Sequence, residues 1–228
     1  MNESDVQSLC ARGQERLVAM DYLAAENLLE RAEALAWKAH DWDALSRLYM
    51  PLQEARRQRR QRCGEGIVKL DIVARSPGDR IDPNQIVKKY PHGQLLVGAW
   101  NDPKPAIEVR KLARELGLYL DVFIASVEQR SGILVVKIHR DGTSPDTIDQ
   151  PVDALPIGER IGNDETYAET MSVWEMLHAP FLANADAQSD PIKKMDGYRK
   201  AIEVDYACEL AHQNLSLTAR SLAQTSTR

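Results

Sequence analysis

The stretch DYLAAENLLERAEALA, residues 21–36, predicts an amphipathic helix around which the helical part of the fold is organised. Its apolar residues recur at steps of three and four and so line one face: Ala24, Ala25, Leu28, Leu29, Ala32 and Leu35. We place the charged residues on the opposite face: Glu26, Glu30, Arg31 and Glu33. Because one helix cannot bury such a stripe alone, the pattern requires neighbouring helices, which the small alanines allow to approach closely.

Further helices follow on either side from capping and stop signals. Ser4 or Asp5 can begin a helix that ends near Ala19, and Asp41 can begin another that continues to Gly64. Pro51 lies within that last pattern, where it can either begin a new helix or kink the existing one. The sequence therefore predicts N-terminal helices over residues 4–63.

This segment resembles the tetratricopeptide repeat. Two sets of residues match the spacing of that family: Asp21, Tyr22, Ala25 and Ala32 in one helix, and Trp42, Leu45, Ser46 and Tyr49 in the next. The segment departs from the family in having no proline near Trp37 and in carrying Pro51 where no break is expected. The resemblance implies stacked helical hairpins that share a core and form a groove for peptides or partner helices.

Arginines are concentrated towards the end of the N-terminal helices, at Arg56, Arg57, Arg59, Arg60 and Arg62. Guanidinium groups donate in planar pairs to oxyanions, so Arg56, Arg57, Arg59 and Arg60 are candidate interaction residues. We favour the alternative of a solvated or salt-bridged helix end. These side chains point nearly all round the helix, and no aromatic residue interleaves them for base stacking.

Residues 64–140 change to alternating strand and helix patterns. Four segments are typical of strands: GIVKLDIVA (66–74), LLVGAW (95–100), LYLDVFIASV (118–127) and ILVVKIH (133–139). Short helices after Asp82 and Asp102 separate the first three strands, and Ser131–Gly132 predicts an antiparallel hairpin between the last two. The order predicts a small inserted α/β domain (β-α-β-α-β-β) with a mostly parallel sheet.

Ligands of open α/β sheets bind beyond the carboxyl ends of the strands. That edge carries Gly98, Trp100, Asn101 and Asp102 before a helix N-terminus, whose free backbone N–H groups attract anions. These four are our candidate ligand-binding residues, although no nucleotide-binding motif accompanies them. The structural alternative is that Asn101 forms a turn and Asp102 caps the helix.

The sequence shows no catalytic or metal-binding constellation. The five histidines are scattered, and Cys10, Cys63 and Cys208 are too widely spaced for a zinc cluster or a disulfide framework. His139 and Asp141 lie close in sequence but lack a third ligand. We therefore predict no catalytic residue, no metal and no cofactor, and reduced thiols in a cytoplasmic location.

Residues 141–163 are rich in proline and glycine and predict a long connector, after which residues 164–224 return to helical patterns. GYRKAIEVDYACELAHQNLSLTA (197–219) again resembles the tetratricopeptide repeat. Tyr198 and Ala201 match the end of one unit. Five residues match the opening of the next: Leu210, Ala211, Asn214, Leu215 and Ser216. Tyr206 stands where the family usually has proline.

We therefore predict a mixed α+β fold with tetratricopeptide-like hairpins at both ends and the α/β domain inserted between them. We expect the two ends to meet in one helical layer; the alternative is a separate helical cap on each side of the sheet. The resemblance implies a non-catalytic interaction or scaffolding protein with a protein or peptide partner. The first alternative is a small-molecule or nucleotide site, or an enzyme, around residues 98–102.

RNA binding through residues 56–62 is a further alternative. The net charge of −5 gives no general attraction to nucleic acid or to an anionic membrane. No run approaches the roughly 18 apolar residues of a transmembrane helix, and the acidic N-terminus is unlike a signal peptide. We therefore expect neither a nucleic acid nor a membrane as partner, and the oligomeric state stays open.

Overall fold

A computed structural model describes residues 3–140 and 146–226. Asp141, and with it the His139–Asp141 pair considered above, lies outside these residues. The described helices are α1 (Glu3–Val18), α2 (Tyr22–Ala39), α3 (Trp42–Gly64), α4 (Pro83–Lys89), α5 (Lys104–Glu115), α6 (Asp164–Asp186), α7 (Pro191–Val204) and α8 (Glu209–Ser226). The described strands are β1 (Ile67–Val73), β2 (Gly93–Trp100), β3 (Leu120–Arg130), β4 (Ile133–His139), β5 (Thr147–Pro151) and β6 (Arg160–Ile161). The predicted mixed fold, with helices at both ends and a central sheet, is confirmed.

The chain divides into two compact units. The first, which we call the helical unit, comprises Met1–Arg59 and His178–Arg228; the second, the sheet unit, comprises Arg60–Leu177. The divisions fall inside α3 and α6. The sheet unit therefore includes the last turn of α3, the segment interpreted above as a connector, and the first part of α6.

The helical unit has one hydrophobic core to which both ends of the chain contribute. Ala25, Leu29 and Ala32 of α2 are fully buried in it, α1 packs against α2 and α7 packs against α8. The C-terminal helices supply further members of the same core: Ala185, Met195, Tyr198, Ala201, Ile202, Ala211, Leu215 and Ala219. The expectation that the two ends meet in one core is thus confirmed.

The predicted helix boundaries rest on the expected caps. The Asp21 carboxylate accepts the N–H of Ala24 at the start of α2 at 3.3 Å, and the Asp41 carboxylate accepts that of Ala44 at the start of α3 at 2.9 Å. Pro51 lies inside α3, which continues without interruption to Gly64, so no new helix begins there.

The sheet has the strand order β5-β4-β3-β2-β1-β6. The β1–β2 and β2–β3 pairs are parallel, whereas β3–β4, β4–β5 and β1–β6 are antiparallel. The expectation of a mostly parallel sheet is therefore wrong. The missed pairs involve β5 and β6, which lie within the supposed connector at residues 141–163. No residue of these two short edge strands is fully buried, so they lack the apolar alternation by which strands are recognised.

The two faces of the central strands have different coverings. Leu95 and Val97 of β2 face one side, where α4 and α5 cover them with Val87, Val109 and Ala113. Side chains alternate along a strand, so Gln94 of β2 and its register partner Asp121 of β3 face the other side. The last turn of α3 and residues of α6 contact this second face, as described below.

Gly93 begins β2 in a backbone conformation, φ +150°, that side chains disfavour. It pairs in register with Ile67 of β1, and a Cβ at this position would collide with the carbonyl oxygen of Ile67. The absence of a side chain therefore allows β1 and β2 to pair at this point.

Candidate functional site

The candidate ligand residues at the end of β2 build the turn into α5. Asn101 is exposed and has a left-handed backbone, φ 52°. The Asp102 carboxylate accepts the N–H of Lys104 at 2.9 Å. Gly98 lies within β2, and a Cβ there would contact Ala125 at 3.3 Å. Asn101 is thus the turn residue of the structural alternative, whereas the N-cap of α5 is Pro103 and Asp102 lies one residue before it.

The arginine run separates into exposed and buried members. Arg57 and Arg62 form exposed ion pairs with Glu54 and Glu65 on neighbouring turns. Such surface pairs contribute little to stability. Arg56, Arg59 and Arg60 are instead buried, at 5%, 8% and 1% exposure, respectively. These three side chains are engaged inside their units and do not present a cationic surface.

Glu26 is the centre of a buried ion-pair network in the helical unit. Its two carboxylate oxygens accept Arg56 Nε at 3.2 Å and Arg59 Nη1 at 2.8 Å. Arg56 also donates to Glu30 at 2.8 Å, and the Arg59 guanidinium lies 4.3 Å from the ring centre of Tyr206. The prediction that Glu26 lies on the solvent face of its helix is therefore wrong. The guanidinium groups that compensate its buried charge come from α3, 30 and 33 residues further along the chain.

His212 of α8 extends this network and is held neutral. Arg56 donates to His212 Nε2 at 3.0 Å, so the ring donates its Nδ1 proton to the Cys208 carbonyl at 2.8 Å. Burial disfavours the charged imidazolium and the Arg56 charge repels it, which together lower the pKa of His212 to about 3 despite the opposing fields of Asp205 and Glu26.

A second buried polar cluster lies in the sheet unit, on the face that carries Gln94 and Asp121. Arg60 Nε donates to Asp121 at 3.3 Å, and its guanidinium lies 4.3 Å from the Trp174 ring centre. Thr170 of α6 donates to the Gln94 side-chain oxygen at 2.8 Å. The Trp174 indole N–H and the Gln94 amide nitrogen are buried and have no acceptor among the described residues. This cluster therefore combines a buried ion pair with two available donors.

A third cluster, in the helical unit, brings together three chemically reactive groups. His178 lies on α6, Asp205 is the C-cap of α7, and Cys208 directly precedes α8. His178 Nδ1 lies 2.7 Å from an Asp205 carboxylate oxygen. One potential ligand atom from each residue lies within 4.8 Å of the other two. We call this set the thiol–imidazole cluster.

The electrostatics of the cluster favour a charged imidazolium. Burial by itself lowers the pKa of His178, but hydrogen bonds to Asp205 and Cys208 outweigh it and raise the pKa to about 9. The side chains of His178 and Asp205 are 11% and 1% exposed, and Cys208 is 3% exposed. Burial of this degree leaves no access for a large substrate, whereas a single ion needs little space.

The sequence carried only a faint signal of the thiol–imidazole cluster. Asp205 and Cys208 are three residues apart at a junction between helices, but His178 is 27 residues earlier. No established metal or nucleophile motif has this spacing, so the three residues become a group only when α6, α7 and α8 are folded.

Comparison of the chain with protein-family models, curated proteins and solved structures finds no match. Within residues 3–140 and 146–226, no helix is both long and apolar enough to cross a membrane. The architecture and the surface of the described residues are therefore the basis for a functional proposal.

Proposed function

We propose that the protein is a non-catalytic interaction or scaffolding protein whose helical unit binds a protein or peptide partner. The resemblance to the tetratricopeptide repeat supports this proposal, as do the paired helices α1–α2 and α7–α8. The buried ion pairs of Glu26 link α2 to α3 within this unit.

The observation that carries the proposal is the outer face of α8. Leu210 and Leu217, two helical turns apart, are 58% and 60% exposed. The opposite face of the same helix buries Ala211, Leu215 and Ala219 in the core. Exposed apolar residues that are seven positions apart lie on the same face of a helix, and this spacing is typical of a face that contacts another helix or a peptide. We infer that this face belongs to the binding surface.

We further propose a cytoplasmic location. Cys10, Cys63 and Cys208 form no disulfide with one another, and two of them are buried. Reduced cysteines are typical of a compartment with a reducing environment.

The experiment is a gentle purification of the tagged protein from its native host, followed by chemical cross-linking and mass spectrometry. The wild type is compared with the double variant Leu210→Glu/Leu217→Glu and with Leu116→Glu. Leu116 serves as a matched control because it is an equally exposed leucine, at 63%, in the sheet unit. We expect one protein partner to be cross-linked to the wild type and to the control, and to be lost from the double variant.

Two results would count against the proposal. A partner that the double variant retains would remove α8 from the binding surface. A co-purified nucleotide or metabolite that is released by Trp100→Ala or Asp102→Asn would instead establish the ligand-binding alternative at residues 98–102.

A further inference from the structure

We propose that His178, Asp205 and Cys208 form a binding site for a transition-metal ion, and that zinc is the ion their chemistry fits best. The site is independent of the interaction surface on α8 proposed above, because its three side chains are buried whereas Leu210 and Leu217 are exposed.

The three side chains supply ligand atoms of the types that zinc binds. An imidazole nitrogen, a carboxylate oxygen and a thiolate sulfur are the three ligand types that zinc accepts in proteins. The thiolate excludes the hard cations magnesium and calcium, which prefer oxygen ligands. Three protein ligands leave the fourth tetrahedral position for a water molecule or another small ligand.

The distances between the three ligand atoms are close to those of a tetrahedral zinc site. Zinc lies about 2.0–2.3 Å from such ligands, so the ligand atoms of a tetrahedral site lie roughly 3.4–3.6 Å apart. The three atoms here are all within 4.8 Å of one another, and the closest given pair, His178 Nδ1 and Asp205 Oδ2, is 2.7 Å apart. Side-chain adjustments of about 1 Å would therefore suffice to coordinate the ion.

Backbone hydrogen bonds hold two of the three ligand residues in position. The second carboxylate oxygen of Asp205 accepts the N–H of Ala207 at 3.1 Å, which fixes the carboxylate and leaves Oδ2 directed at His178. The Cys208 N–H donates to the Asp205 carbonyl at 3.0 Å, and its own carbonyl accepts the N–H of His212 in the first turn of α8 at 3.3 Å. Cys208 thus directly precedes α8, and hydrogen bonds of its own N–H and carbonyl fix its backbone. Two of the three ligands are held in place by backbone hydrogen bonds before an ion binds.

Metal binding at this site is a proton-coupled step without redox chemistry. The ion replaces the thiol proton of Cys208 and any proton on the coordinating nitrogen of His178, and both protons pass to solvent. The sulfur–metal bond that forms in this step provides a spectroscopic signature that a hydrogen-bonded His–Asp pair lacks.

The experiment titrates the chelator-treated full-length protein with Co²⁺, under reducing conditions, and records the absorption spectrum. We expect one Co²⁺ per chain, a near-ultraviolet sulfur-to-cobalt charge-transfer band, and loss of that band when Zn²⁺ is added. Cys208→Ser should abolish the band and Asp205→Asn should weaken Co²⁺ binding. Cys10→Ser, which makes the same change at a half-buried thiol outside the cluster, should leave both unchanged.

A second measurement uses the wild type alone, so that the test does not depend on whether the variants fold. Equimolar Zn²⁺ should raise the Tm of the chelator-treated protein, whereas Mg²⁺ should not. Absence of both the cobalt band and the Zn²⁺-dependent Tm shift in the wild type would overturn the proposal. A cobalt band that persists in Cys208→Ser, or disappears in Cys10→Ser, would also overturn it.

Discussion

Removing the charge of Glu26 should destabilise the helical unit strongly. Glu26 is 4% exposed, and its carboxylate accepts hydrogen bonds from Arg56 and Arg59, both of which are also buried. The substitution Glu26→Gln preserves the size of the side chain but leaves two buried guanidinium groups facing an uncharged amide. Arg56 keeps its bond to Glu30, so Arg59 loses more of its charge compensation.

The magnitude follows from the two bonds. A hydrogen bond between charged groups contributes about 1.5–3 kcal/mol, so the two together contribute roughly 3–6 kcal/mol. Breaking a buried ion pair by removing one partner typically costs about 3–5 kcal/mol, which agrees with this range. We therefore expect Glu26→Gln to lower the free energy of unfolding by about 3–5 kcal/mol.

Urea denaturation followed by far-ultraviolet circular dichroism measures this change. The matched control is Glu54→Gln, which breaks the exposed pair with Arg57, where both side chains are about 40% exposed. Exposed pairs of this kind contribute about 0–1 kcal/mol. If Glu26→Gln lowered the free energy of unfolding no more than Glu54→Gln does, the buried network would contribute no more to stability than an exposed ion pair.

Three further predictions concern other parts of the molecule. Asp121→Leu should lower the free energy of unfolding by about 3–5 kcal/mol because it removes a buried carboxylate that pairs with Arg60. The double variant Arg60→Met/Asp121→Leu should be closer to the wild type in stability. Equal losses for the single and the double variant in urea denaturation would contradict this. The folded-state pKa of His212, about 3, lies below its ordinary value of 6.5, so between these values the unfolded chain holds a proton that the folded chain does not. In metal-free buffer the free energy of unfolding should therefore fall by about 1.4 kcal/mol per pH unit on acidification below pH 6.5, with a smaller slope in His212→Gln; an unchanged slope in that variant would count against the assignment. Gly93→Ala should lower the free energy of unfolding by about 2 kcal/mol or more through its backbone collision, while Gly78→Ala, whose nearest atom would lie 3.9 Å away, should have little effect on the same measurement.

The regular elements with strong local signals could be predicted from sequence. The apolar period of α2, its Asp21 cap and the buried run of β2 are properties of neighbouring residues, and the structure has all three. The strands β5 and β6 could not be predicted in this way. Their stability comes from pairing with β4 and β1, and a polar edge strand such as TIDQP (147–151) carries no apolar period of its own.

The buried clusters were missed for a related reason. Arg56 and Arg59 have the composition of a solvated helix end, and only tertiary packing brings Glu26 against them. The same holds for His178, whose partners Asp205 and Cys208 lie on other helices. Charged side chains are ordinarily exposed, so a sequence pattern places them outside unless the partner is already known.

We expect the two ends of the chain to fold cooperatively as one helical unit, because both contribute to one core. Hydrogen–deuterium exchange of Leu215→Ala tests it most directly, because Leu215 of α8 is fully buried in the shared core and its truncation should cost about 2–5 kcal/mol. We expect faster amide exchange in α2 as well as in α7 and α8, and no change in Leu217→Ala, whose side chain is 60% exposed. Faster exchange confined to α7 and α8, with α2 unchanged, would contradict a single unit built from both ends.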